Sequence, residues 1–167
     1  NSTGEFLRGD ATWAPARTMQ FKVKSADENV PSGTTLQNDD HLVFPVLAGE
    51  TWTFEFRLLV TNLNSATPDW KAAILGAAGW TCRVVMHSRV GATIDSAANG
   101  TDCDNAPTAL ADASIVADAN IPYNVFLQGW ITATTDGNVQ LQWAPNTSGS
   151  LTVLRGSYVI AQKVGGI

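Results

Sequence analysis

Two tryptophans that stand next to loops are the residues best placed to bind a ligand. Trp70 follows Pro68-Asp69, and Trp80 follows Gly79 at the end of a run of small residues. An indole ring beside carboxylates and amides stacks on the C–H face of a sugar while the polar groups bind its hydroxyls. The sequence therefore predicts that Trp70 and Trp80 contribute to a ligand-binding surface. The more common arrangement, in which both rings pack into the core, stays open as the alternative.

The polar segment 99–107 supplies the other candidate ligand contacts, Asp102, Asp104 and Asn105. Oxygen atoms at alternate positions of a tight loop suit calcium, but the EF-hand pattern is absent because no glutamate stands at its twelfth position. A polar surface loop is the simpler interpretation, so we predict no metal site and no cofactor. We expect the segments 70–80 and 95–107 to make the ligand contacts.

Catalytic residue types occur, but not in a recognisable setting. Asp39-Asp40-His41 offers an acid and a base, yet no G-x-S-x-G nucleophile elbow accompanies it. Glycoside hydrolysis needs two carboxylates about 5 to 9 Å apart in a cleft. Of the four glutamates, Glu55 alone lies firmly within a strand pattern, and its alternation points it outward. We therefore expect no catalytic residue and a protein that is not an enzyme.

The balance of charges excludes some classes of partner. Ten basic and fifteen acidic residues give this chain of 167 residues a net charge of −5. This acidic balance argues against nucleic-acid or anionic-membrane binding through basic patches. No apolar run reaches the roughly 20 residues that a membrane-spanning helix needs, so we expect no membrane insertion. Because the chain begins at Asn1 rather than Met, we interpret it as a fragment or a processed product.

The two cysteines, Cys82 and Cys103, do not have the spacing of a zinc site. A disulfide between them would close a loop of about twenty residues and contribute roughly 3 kcal/mol in the chain-entropy model. Two free thiols, one in a strand and one in a loop, are the alternative. The sequence leaves both interpretations open.

Alternation with a period of two predicts the elements that must position these residues. In residues 51–58, four apolar side chains alternate with polar ones, which indicates a strand with one buried face. Similar alternation occurs in four other segments, with Phe21 and Val23; Leu42, Phe44 and Val46; Val139, Leu141 and Trp143; and Tyr158, Ile160 and Gln162. We expect the apolar side chains of these sets to face the core.

Further strands complete the predicted fold. The segments 69–76, 81–90 and 124–135 add three strands, and Asp136-Gly137 predicts a type I′ hairpin turn after the last of them. The alanine-rich segment 108–119 fits a helical turn or, around 114–116, a strand. Eight or nine strands separated by Gly, Pro, Asn and Asp predict an all-β fold, an antiparallel β-sandwich of jelly-roll type.

Residues 1–18 differ in character from the predicted sandwich of residues 19–167, and we interpret them as an N-terminal arm. The segment 12–16 is typical of extended backbone. Phe6, Leu7 and Trp13 would expose apolar surface if the arm were isolated. We therefore expect them to pack on the body of the protein or on a neighbouring subunit.

The arm also carries a resemblance to a known family. The segment Gly4-Glu5-Phe6-Leu7-Arg8-Gly9-Asp10-Ala11-Thr12-Trp13-Ala14 resembles the G-x-F-L-R-G-D-G-T-W segment of many bacteriophage tail fibres and tail-associated adhesins, which tends to precede a β-rich head. The segments 24–30, 34–42, 49–56 and 156–164 resemble stretches of phage virion proteins, whereas the middle of the chain hardly does. Ala11 stands where that pattern usually has glycine, so the turn there must avoid a φ that only glycine tolerates.

The resemblance implies a homotrimeric virion protein, most often a fibre-head or receptor-binding domain. Its partners would be other virion proteins and a bacterial surface receptor, for which a glycan fits the candidate residues above. The protein would be assembled in the host cytoplasm and exposed on the virion surface. The alternative is a capsid-decorating or head-fibre protein with a stabilising role and no ligand. In that case every tryptophan should be buried.

Overall fold

The computed structural model describes residues 5–7, 13–15, 19–61, 70–90, 93–100, 103, 107, 109–112, 122–146 and 149–166. Every regular element among these residues is a β-strand, which confirms the all-β prediction. Among the described residues no helix is long and apolar enough to cross a membrane.

Fourteen strands make up the described chain. The first seven are β1 (Glu5–Leu7), β2 (Trp13–Pro15), β3 (Met19–Val23), β4 (Glu28–Val30), β5 (Gln37–Val46), β6 (Thr51–Thr61) and β7 (Trp70–Leu75). The other seven are β8 (Thr81–Val90), β9 (Thr93–Gly100), β10 (Leu110–Asp112), β11 (Tyr123–Thr132), β12 (Gly137–Pro145), β13 (Leu151–Val153) and β14 (Tyr158–Gly165).

The strands form three antiparallel sheets. β1 and β2 pair only with each other. A four-stranded sheet has the order β10-β7-β12-β5, and an eight-stranded sheet follows the path β3-β14-β6-β11-β8-β9, with β13 joined to β6 and β4 joined to β13. From β5 to β8, and again from β9 to β13, each successive strand changes sheet. The jelly-roll connectivity stays a prediction.

The two large sheets pack face to face. Phe44 of β5 lies 5.9 Å from the ring of Trp52 and 6.5 Å from that of Phe54, both on β6 of the opposite sheet. All four apolar residues of 51–58 are buried, as their alternation predicted. These contacts between the inner faces confirm the antiparallel β-sandwich.

One predicted buried face is wrong. Phe21 and Val23 of β3 are 56% and 46% exposed, and Ile160 of the paired β14 is exposed beside them. The inward positions here belong instead to Val159 of β14 and to Lys24, directly after β3. Because the Lys24 ammonium has carboxylate partners inside the protein, a charged residue takes the inward position and the apolar ones face solvent.

The Asp136-Gly137 hairpin prediction is also wrong. β11 pairs with β6 and β8, whereas β12 pairs with β5 and β7, so the two strands belong to opposite sheets. Asp136 instead accepts a hydrogen bond from the Ala48 amide at 2.8 Å. This bond joins the β5–β6 and β11–β12 connections, and at each of them the chain passes from one sheet to the other. Gly137 leaves room for a neighbouring ring, because a Cβ there would lie 2.9 Å from the indole of Trp80.

Cys82 and Cys103 form a disulfide bond, and their Cα atoms are 5.9 Å apart. Both residues are buried. Cys82 lies in β8, and Cys103 lies three residues beyond the end of β9. The bond therefore fixes the segment that leaves the edge of the eight-stranded sheet, and it decides the question that the sequence left open.

Two other sequence-based interpretations meet the structure only in part. Residues 13–15 of the segment expected to be extended form the strand β2, which pairs with β1 so that Leu7 lies opposite Trp13 and Phe6 opposite Ala14. The side chains of Phe6, Leu7 and Trp13 lie outside what the structure describes, so their packing on a body or a neighbouring subunit stays a prediction. In the segment 108–119, residues 110–112 form the strand β10.

Candidate functional site

The outer face of the eight-stranded sheet brings polar and aromatic side chains together. Strand register places Trp130 of β11 opposite both Thr53 of β6 and Arg83 of β8. One step along, Gln128 lies opposite Glu55 in the same way. Because directly opposed residues of antiparallel strands share a face, these side chains project to the same side.

These side chains line a shallow depression of about 610 Å³, a volume within the range of small-molecule sites. We call it the outer groove and define it by Thr53, Glu55, Arg83, Gln128, Trp130 and Gln162. Trp130 is 38% exposed within it. The indole therefore offers a ring surface to solvent, with hydroxyl, amide and charged groups around it.

Gly129 of β11 lets the sheet close tightly behind the outer groove. A Cβ at this position would collide with the backbone carbonyl oxygen of Arg83 and would lie 3.0 Å from the Phe54 ring. Glycine alone fits between these two neighbours. The close approach holds Trp130 and Arg83 on adjacent strands with little room for the backbone to shift.

The charges of this face are only partly compensated. Arg57 Nε donates a hydrogen bond to Glu55, and the Arg57 guanidinium lies 5.6 Å from the ring centre of Phe126. The hydrogen bond and charge of Glu55 raise the pKa of Arg57 above its ordinary value. Gln128 Nε2 also donates to Glu55, at 3.3 Å. Since Glu55 is thereby engaged, the charge left without a carboxylate partner in the described part of the groove is that of Arg83.

A second surface lies beside the outer groove. Met19, Phe21 and Val23 of β3 are exposed in a row, and Ile160 of β14 lies opposite Phe21. We call these four residues the apolar strip. Since Ile160 also lines the depression, the apolar strip and the outer groove meet on one face of the sheet.

Glu28, Asp39 and His41 form a partly buried cluster with the residue types of a metal or catalytic centre, and their ligand atoms lie within 4.8 Å of one another. The Lys24 ammonium, however, donates to Asp39 at 2.9 Å and to Glu28. It therefore already supplies the positive charge between the two carboxylates. These residues fit a structural ion cluster better than a metal site.

A serine and a histidine meet at the margin of this cluster. Ser25 Oγ lies 2.9 Å from His41 Nε2, which is the spacing of a nucleophile and its base. The Nδ1 atom of His41 is buried without a hydrogen-bond partner. Asp39 accepts instead from the backbone amides of His41 and Leu42. No carboxylate among the described residues therefore orients the imidazole, as catalysis by a triad requires.

Trp70 and Trp80 adopt the arrangement that the sequence left as the alternative, in which both rings pack into the core. Trp70 is 0% exposed and stacks on Trp143 of the neighbouring strand, with ring centres 5.6 Å apart. Trp80 is 5% exposed, and its indole N–H donates to Thr135 at 3.2 Å. Trp70 is the first residue of β7 and Trp80 directly precedes β8, and both rings are buried in the core, so neither offers a surface to a ligand. Asp102, Asp104 and Asn105 lie outside the described residues.

Trp130 and Arg83 are the site residues that the sequence reasoning missed. Trp130 lies in the predicted strand 124–135 and is exposed, whereas Trp52 and Trp143 are buried. The alternation in β11 indicates the exposure of Trp130, because the buried Leu127 and Ile131 place residue 130 on the opposite face. Glu55 does point outward, as its alternation indicated.

Comparison with known proteins identifies no family for this chain. No family model matches it, and no curated protein matches it. Among solved structures, the VP2 subviral particle of infectious bursal disease virus is similar with a TM-score of 0.23 and 9% identity. The similarity covers 89% of this chain but only 37% of that one. At this TM-score the likeness carries no argument about fold or function.

Proposed function

We propose that the chain is a phage virion structural protein, the head domain of a homotrimeric fibre that attaches the particle to a glycan on a bacterial surface. The arm segment that resembles tail fibres supports the class of protein. The observation that carries the attachment role is the exposed ring of Trp130 in a groove of polar side chains. Its location is the virion surface, and its partners are other virion proteins and the receptor.

The exposure of Trp130 favours attachment over capsid decoration. In a decorating protein that binds no ligand, an exposed indole would leave apolar surface in water without a binding role, so all its tryptophans should be buried. Of the five tryptophans whose side chains the structure describes, Trp130 alone departs from that expectation. The stabilising role is therefore the second candidate.

The mechanism of attachment is adhesion without bond chemistry. A shallow groove on an open sheet face makes few contacts with a small ligand, so a single site binds weakly. Three copies held in one trimer raise the effective concentration of the second and third sites. Firm attachment then arises from three weak contacts, and detachment requires all of them to open together.

The apolar strip supports assembly with further copies of the same chain. Its four side chains are apolar and contiguous, and the chain enters the strip at Met19 directly from the arm. A second copy that packs on the strip would therefore also meet the arm of the first. Burying this surface between subunits removes it from water, which is the main driving force of such association.

The test is binding of the fluorescently labelled full chain to a panel of bacterial strains and to purified phage particles. We expect saturable binding to cells of at least one strain, competed by unlabelled protein and reduced at least tenfold by Trp130→Ala. Asn124→Ala, an exposed change on the same strand and the same face, should leave binding unchanged. Binding to particles alone, with no strain bound, would replace attachment by the stabilising role.

A further inference from the structure

The charge left unpaired in the outer groove narrows the class of ligand. The chain as a whole carries a net charge of −5, yet the groove presents the guanidinium of Arg83 without a carboxylate partner among the described residues. A cation on an acidic protein attracts anions locally while the rest of the surface repels them. A ligand that carries its negative charge at one point is favoured over a polyanion that would cover the whole face.

The position of Arg83 relative to Trp130 fits a ring that bears an acidic group. The two residues are directly opposed on β11 and β8, and such pairs have Cβ atoms about 4.5–5.5 Å apart. A sugar ring stacked on the indole would bring a carboxylate or phosphate substituent within reach of the guanidinium. In the described structure the guanidinium that lies over aromatic rings is that of Arg57, so Arg83 leaves the indole face open.

The remaining side chains suit hydroxyl groups. Gln162 presents an exposed amide in the same cross-strand row as Trp130, and Gln128 presents one in the adjacent row. Thr53, between Gln162 and Trp130, adds a hydroxyl. Amides both donate and accept hydrogen bonds, as do sugar hydroxyls. An acidic peptide would use the guanidinium but would leave the ring face and these amides without matched partners.

We propose that the outer groove binds an acidic saccharide, with the indole of Trp130 stacked on the sugar ring and the guanidinium of Arg83 paired with its carboxylate or phosphate. This inference rests on the proposed attachment function and specifies its ligand. Guanidinium and an oxyanion with two oxygen atoms form paired parallel hydrogen bonds, which a neutral sugar cannot replace.

Calorimetry with three defined probes tests the proposal on the full chain. The probes are galacturonic acid, galactose as its neutral counterpart, and galactose 6-phosphate as the phosphate arm. We expect at least one acidic probe to bind about tenfold more tightly than the neutral one at low salt. The preference should shrink between about 50 and 500 mM NaCl, because the Debye length falls well below 10 Å.

Two variants assign the effect to the groove. Arg83→Gln should remove the preference for the acidic probe, and Trp130→Ala should weaken all probes at least tenfold. Arg155→Gln removes the same charge from an exposed loop position and should change nothing. Thermal melting of each variant checks that the fold is intact, and Trp130→Tyr keeps a stacking ring and should retain part of the affinity.

The outcomes separate this inference from the attachment function. Equal affinity for acidic and neutral probes, or an acidic preference that survives Arg83→Gln, overturns the acidic-saccharide site. Binding of a peptide library but of no saccharide overturns it as well. If cells are still bound and Arg83→Gln does not affect adsorption, attachment stands and the ligand inference fails. If no cell is bound, the attachment function itself fails.

Discussion

Two buried carboxylates are each held by one lysine ammonium and one tryptophan indole. Asp39 accepts from the Lys24 ammonium at 2.9 Å and from the indole N–H of Trp143 at 3.2 Å. Glu50 accepts from the Lys163 ammonium at 3.0 Å and from the indole N–H of Trp52 at 2.9 Å. Burying an ion is costly unless its charge and hydrogen bonds are satisfied, and each carboxylate meets that condition.

Removing the Lys24 ammonium should strongly destabilise the protein. Lys24→Met keeps much of the side-chain length but leaves Asp39 and Glu28 without their shared cation. We expect a loss of about 3–5 kcal/mol in the free energy of unfolding, measured by urea denaturation. Lys22→Met, an exposed change two residues away, should stay within about 0.5 kcal/mol of the parent chain. Equal stability of the two variants would show that the cluster contributes nothing.

Glu50 should make stability depend on pH in the acid range. Burial by itself raises the pKa of Glu50, but hydrogen bonds from the Leu47 amide, the Trp52 indole and Lys163 outweigh it, so the pKa lies below the ordinary value of 4.5. A depressed pKa in the folded state contributes stability above the unfolded value, and this contribution is lost as pH falls through the folded value.

The corresponding experiment compares the parent chain with Glu50→Gln in urea denaturation from pH 7 to pH 3. At pH 7 we expect the variant to be less stable by about 1–3 kcal/mol. The difference should shrink once the pH falls below 4.5, because Glu50 then takes up a proton in the parent chain as well. A difference that stays constant over the whole range would contradict the role assigned to Glu50. Asp40→Asn, at an exposed carboxylate, should stay close to the parent throughout.

Local alternation predicts the strands, whereas pairing between strands depends on the whole chain. The 51–58 pattern places its apolar face correctly because its four inward residues meet the other sheet. The Asp136-Gly137 signal fails because the chain changes sheets there, and no local residue records that crossing. Likewise, the local sequence around Trp70 and Trp80 is the same whether their rings face a ligand or the core. The outer groove assembles from four strands distant in sequence, so no single motif marks it.

The disulfide should contribute to stability by restricting the unfolded chain. It joins residues separated by 21 positions. Replacing both cysteines with alanine should lower the free energy of unfolding by roughly 3 kcal/mol and the melting temperature by roughly 6–12 °C. Reductant should lower the melting temperature of the parent chain similarly and leave the double variant unchanged. A parent chain that melts at the same temperature with and without reductant would contradict this assignment.

On the scale of the whole molecule, the proposed function assigns assembly to the strip and ligand binding to the groove, on one sheet face. The apolar strip lies at the edge strand β3, and the outer groove lies over the central strands β6, β11 and β8. A subunit docked on the strip therefore borders the groove without covering its centre. Assembly and ligand binding can then proceed on one face at the same time.

Light scattering on a sizing column should give a mass of about three times 17.7 kDa for the full chain. The paired change Met19→Ser and Phe21→Ser should shift the mass toward a single copy, because it removes the most exposed apolar side chains of the strip. Lys22→Ser, at the position that follows Phe21 on the same strand but on the other face, should keep the trimer. A mass of one copy for the unmodified chain would contradict the proposed trimeric fibre head.

Because the Cys82–Cys103 bond can be reduced, the protein has two forms, one with the disulfide and one with two free thiols. A cytosol that keeps thiols reduced holds the chain in the unlinked form, and oxidising surroundings close the bond. Under the proposed function, newly made protein lacks the bond and is the less stable form, and the bond closes once the virion is outside the host cell. Its resistance to heat and proteases is then set by its location as much as by its residues.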